Sequence, residues 1–176
     1  MMMRMLKAGG MPMLTDASRD ADESNPHGYF EFAPTKDMGP DADLSWLSDA
    51  RGRAVKLVSP LLEHLPSRHD YRIIFMQRDL SEVIASQNAM LARRGEAKSP
   101  MKDADLAARF EAHLQAVRKL IAAHPNMTAI EVAYTNVLNH PIEEVRRITA
   151  FLDRPLDEAG MAAAVDPKLY RNKRDA

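Results

Sequence analysis

The chain has 176 residues, 45% of them hydrophobic and 28% charged, with a net charge of −1. Such a composition describes one globular domain able to bury a sizeable core, and it gives no electrostatic reason for a nucleic-acid or acidic-membrane partner. The absence of cysteine excludes disulfides, thiolate metal sites and a cysteine nucleophile.

Among the histidines, His27, His64, His69, His113, His124 and His140 show no zinc-type spacing, so no metal is expected. No apolar run reaches the roughly 18 residues that a membrane span needs. The opening Met1-Met2-Met3-Arg4-Met5-Leu6-Lys7 is too short and interrupted for a signal peptide. A cytoplasmic location is expected.

In chain order, residues 1–8 have the pattern of a helix stopped by Gly9-Gly10. No cap residue or strand precedes it, so the chain reads as starting inside an element. Residues 15–43 are rich in Asp, Ser, Asn, Pro and Gly and read as a long loop, apart from the apolar island Gly28-Tyr29-Phe30-Glu31-Phe32. A short helix is expected from Asp43 to Asp49 around Trp46. Ala54–Val58 reads as a strand, followed by Ser59-Pro60 opening a helix from Leu61 to Leu65. Tyr71–Gln77 is a second strand. Asp79 caps the next helix, with Glu82 in a capping-box position, and this helix runs to about Arg94.

After a break at Gly95–Pro100 comes the longest helical pattern, Asp103–Ala123, with Leu106, Phe110, Leu114, Val117 and Ile121 three or four residues apart. Met127–Tyr134 is a third strand. Pro141–Leu152 is helical from an N1 proline, and Leu156–Val165 gives one more helix. Strands alternating with helices predict an α/β fold, a parallel sheet in three layers with helices on both faces. Residues 1–170 are expected to be a single domain and 171–176 a polar, basic tail.

The segment with most chemistry runs from Tyr71 to Ser86. Arg78 stands at the carboxyl end of a parallel strand, where ligands of such sheets bind. The helix after Asp79 offers unpaired amides and a positive dipole end, and Ser86 lies roughly 10 Å along its axis, on the stripe of Asp79 and Glu82. A guanidinium gives a phosphate two parallel hydrogen bonds, and the hydroxyl adds a third. The same residues also fit a strand-end arginine paired with a carboxylate and a solvated helix serine.

Arg78-Asp79-Leu80-Ser81-Glu82-Val83-Ile84-Ala85-Ser86 resembles the 3′-phosphate-binding motif of sulfotransferases, an arginine and a serine eight residues apart after a buried strand. Val55-Lys56-Leu57-Val58-Ser59-Pro60 is similar to that family's lysine-bearing strand, and Ala133–Pro141 to its tyrosine-containing turn. Ile148–Asp153 with Leu156-Asp157 looks like the helix that closes the domain. The resemblance implies a P-loop NTPase-like fold of the sulfotransferase type and 3′-phosphoadenosine-5′-phosphosulfate as cosubstrate, without a metal. It implies that Arg78 and Ser86 hold the 3′-phosphate, that Tyr134 sits beside the adenine and that Lys56 lies near the transferred group. A small-molecule or glycan acceptor is the implied partner, with no nucleic acid and no membrane.

The sequence also departs from that pattern. The Pro-Arg/Lys-Ser-Gly-Thr type turn that binds the 5′-phosphosulfate is absent, as is the strand before it, so the chain is expected to be truncated at its amino end. Leu80 replaces a frequent proline. Val58 stands where some members carry a catalytic histidine, so a base has to come from elsewhere, with Glu31 and Glu23 as candidates. Arg171 and Lys173 read as part of a solvated tail. If the truncation is real, no turnover and weak or no nucleotide binding are expected. Two alternatives stand beside sulfuryl transfer: a nucleotide-dependent kinase-like domain, and a noncatalytic module that kept the fold.

Overall fold

The computed structural model describes residues 1–16, 28–93, 95–97 and 100–170. Two strands carry its architecture, β1 (Tyr71–Gln77) and β2 (Met127–Ala133), which run parallel in register from Tyr71 opposite Met127 to Gln77 opposite Ala133. Parallel neighbours need a long crossover, supplied here by two helices, α2 (Leu80–Arg93) and α3 (Asp103–Ala123).

Successive side chains of a strand point to opposite faces, and each face of this sheet has its own core. Ile74 and Met76 of β1 and Ile130 and Val132 of β2 join one cluster with Met2, Met5 and Leu6 of the first helix, α1 (Met2–Ala8). Val145, Ile148 and Leu152 of α5 (Pro141–Leu152) and Met161 of α6 (Glu158–Ala163) complete it. Tyr71, Ile73, Phe75 and Met127 face the other way, onto Val117, Leu120 and Ile121 of α3 and onto Leu62 and Leu65. The helices therefore cover both faces of a small parallel sheet, as the alternation of elements predicts. Among the described residues no helix is long and apolar enough to cross a membrane.

Local chemistry accounts for the element ends. Pro141 opens α5, Glu143 and Glu144 sit in its first turn, and Asp153 closes it in the left-handed conformation at φ 52°. Asp157 caps α6 by accepting from the Gly160 amide at 2.9 Å. The first helix ends at Gly9, against whose bare Cα the Met161 side chain packs so closely that an added Cβ would lie 2.5 Å from Met161 Cγ.

Three expected elements take other forms. The expected helix around Trp46 is a 3₁₀ turn, Ser45–Ser48, and Ser59–His64 is another. Residues 54–58 are extended, but they pair only through a single parallel bridge from Ala54 to Met13. Among the described residues their strand-like composition finds no further strand to bond. A groove of about 830 Å³ is lined by residues 53–57 and by residues 71–76 of β1, among others. The sheet of the described residues thus holds two strands, fewer than a full three-layer α/β domain would carry.

Candidate functional site

Arg78 follows β1 directly, and its neighbours are set by the turn into α2. Asp79 accepts from the Ser81 amide at 2.8 Å, satisfying an orphan donor of the helix start. Glu82, expected in a capping-box position, pairs with Arg78. Its Oε2 accepts from Arg78 Nε at 3.0 Å, an i,i+4 pair in which the carboxylate side chain is only 5% exposed. The other oxygen, Oε1, accepts from the Tyr170 hydroxyl.

Two aromatic rings complete the surroundings of the guanidinium. Tyr134, the first residue of α4 (Tyr134–Asn139), brings its ring centroid to 5.2 Å from Arg78 Cζ, and Tyr170 stands at 5.4 Å. The two rings are 5.4 Å apart and tilted by 50°. Both geometries lie in the cation–π range. Burial pushes the Tyr134 phenol above its ordinary value, against the opposing pull of Arg78. The Tyr170 phenol is raised too, chiefly by its hydrogen bond to Glu82. Both therefore stay protonated at neutral pH and remain hydrogen-bond donors.

Of the residues singled out from the sequence, the structure brings Arg78 and Tyr134 into direct contact. Ser86 lies half-buried two turns into α2, and among the described residues no hydrogen bond joins it to Arg78. A second pair also meets. Lys56 Nζ donates to the Tyr29 carbonyl at 2.9 Å and stands 3.9 Å from Glu31, whose carboxylate also pairs with Lys36 at 3.0 Å. The apolar island thus brings its one acidic residue to Lys56, beside the edge-to-face contact of Phe32 with Trp46. Close by in sequence, the Ser59 hydroxyl hydrogen-bonds His113 Nε2 of α3 at 2.8 Å, a use of Ser59 other than the expected helix cap. Glu23, Arg171 and Lys173 lie outside the described residues.

Two residues of the Arg78 cluster escaped the sequence reading. Glu82 carried a usable signal, its i,i+4 spacing from Arg78, which the capping-box pattern masked. Tyr170 carried none, being an isolated aromatic ahead of the basic tail.

The model described as the sulfotransferase family matches residues 28–158, a span that holds Glu31, Lys56, Arg78, Glu82, Ser86 and Tyr134 and leaves Tyr170 outside. No curated protein and no solved structure matches the chain. A family match over well more than half of its length settles the kinship of the polypeptide that builds this cluster: it belongs to the sulfotransferase family.

Proposed function

We propose that this chain serves sulfuryl transfer from 3′-phosphoadenosine-5′-phosphosulfate to an acceptor hydroxyl, with Arg78 and Ser86 holding the 3′-phosphate and Tyr134 flanking the adenine. The observation that carries the reading is Arg78 itself: a guanidinium at the carboxyl end of β1, beside the start of α2 and against the Tyr134 ring at 5.2 Å. In the reaction the acceptor oxygen attacks sulfur in line and the bond from sulfur to the bridging oxygen breaks. The sulfuryl group moves to the acceptor, and adenosine 3′,5′-bisphosphate leaves with the bonding electron pair. The acceptor proton passes to a base, for which Glu31 is the candidate, and Lys56 beside it offsets charge that gathers on the bridging oxygen.

The 176 residues hold no Pro-Arg/Lys-Ser-Gly-Thr turn for the 5′-phosphosulfate, so nucleotide binding is the property to measure first. Calorimetric titration with adenosine 3′,5′-bisphosphate should show weak binding, in preference to ATP with magnesium. Arg78→Ala should weaken it at least tenfold, the loss expected of a charge-assisted hydrogen bond of about 1.5–3 kcal/mol. Preference for ATP, or an unchanged affinity in the variant, would overturn the reading.

One observation favours a second reading, a structural Arg78 in a noncatalytic module. Its Nε already pairs with Glu82, and both tyrosines lie against it. On that reading Arg78→Ala lowers the melting temperature and leaves the bisphosphate affinity alone.

A further inference from the structure

The Arg78 cluster contains two residues to which the preceding reading gives no task, Glu82 and Tyr170. A carboxylate 5% exposed is costly to bury unless it is fully paired. Glu82 is paired at both oxygens, one to Arg78 Nε at 3.0 Å and the other to the Tyr170 hydroxyl. Tyr170 makes two contacts at once: its hydroxyl reaches Glu82 and its ring lies 5.4 Å from the guanidinium carbon. The chain places it there through a 3₁₀ turn, Pro167–Leu169, capped by Asp166, which accepts from the Lys168 amide at 3.0 Å.

We propose that Glu82 and Tyr170 are positioning residues of the anion site, which fix the plane and direction of the Arg78 guanidinium so that it meets a ribose 3′-phosphomonoester. The inference rests on the reading of Arg78 as a phosphate-binding residue. Its physical basis is the stiffness of the fork. The five N–H donors of a guanidinium are coplanar, so holding Nε by a carboxylate sets where the Nη1 and Nη2 groups point. Rings at 5.2 and 5.4 Å remove most of the remaining rotation of the plane. A side chain fixed in advance loses less rotamer freedom on binding, and that saving appears as affinity. It appears only in the part of the affinity that the 3′-phosphate supplies.

The test separates that part from the rest. The affinities of the full chain for adenosine 5′-monophosphate and for adenosine 3′,5′-bisphosphate are measured by calorimetry, and their ratio gives the contribution of the 3′-phosphate. Glu82→Gln and Tyr170→Phe should each lower the ratio about fivefold, the value of one hydrogen bond of about 1 kcal/mol, with the monophosphate affinity unchanged. Tyr170→Ala should lower it further, because the ring goes as well. Tyr170→Phe removes one oxygen from a half-buried side chain, so it keeps the test informative if Glu82→Gln fails to fold. If both variants lower the melting temperature and leave the ratio where it was, their role is structural and the inference falls. Should Arg78→Ala also leave the ratio unchanged, or should the wild-type chain bind neither nucleotide, the phosphate reading itself falls. A ratio that collapses in Arg78→Ala but holds in the other two overturns this inference alone.

Discussion

At the scale of single residues, the contrast between Arg78 and Ser86 is informative. Arg78 is held on several sides, whereas Ser86 contributes one hydroxyl from the second turn of α2. On the proposed reading this hydroxyl serves the 3′-phosphate, so it should matter only when the ligand is present. Ser86→Ala is therefore expected to weaken adenosine 3′,5′-bisphosphate binding about three- to tenfold, the worth of one neutral donor, while the thermal midpoint stays within experimental error. Calorimetry and a melting curve on the same sample check both halves. The residue scale is also where the sequence was least explicit. The spacing of Arg78 and Ser86 was visible on the page, but the grip of Glu82 on Arg78 depends on which rotamer a buried carboxylate adopts. That rotamer is also met by the hydroxyl of Tyr170, 88 positions further on.

At the scale of elements, hydrophobic period decided what was legible. Tyr71–Gln77, Asp103–Ala123 and Pro141–Leu152 have the bounds expected, since each carries a full apolar stripe and a clear stop. Residues 54–58 misled because Ala-Val-Lys-Leu-Val has strand composition, and composition supplies no partner strand. The elements are also joined by polar ties that a single-element pattern does not show. Arg118 of α3 donates to Glu131 of β2 at 2.7 Å. That bond, the largest influence on it, holds the Glu131 carboxyl below its ordinary value of 4.5. A carboxyl with a depressed native value adds stability above its unfolded value and loses that stability as pH falls through the native one. The gap in melting temperature between wild type and Arg118→Ala should thus be small and steady near neutrality, and it should close below pH 4.5. It should be small throughout, because both groups are more than a third exposed and water screens the pair. A gap that widened in acid would contradict this assignment.

At the scale of the whole molecule, two apolar clusters share the sheet and no buried residue. Ile148→Val trims the α5 side and should cost about 0.5–1.5 kcal/mol, and Leu62→Ala opens the α3 side at about 2–5 kcal/mol. Separated by the strands, the two losses should add to within about 0.5 kcal/mol in chemical denaturation. Strong non-additivity would mean that the strands transmit packing strain from one side to the other. The groove between β1 and residues 53–57 bears on the same balance. Among the described residues β2 alone pairs with β1, and the groove borders the strand, so the β1 margin away from β2 has no strand to bond. In deuterium oxide, every second amide of Tyr71–Gln77 should consequently take up label well ahead of its neighbours, leaving an alternating imprint of that bare margin along the central ribbon.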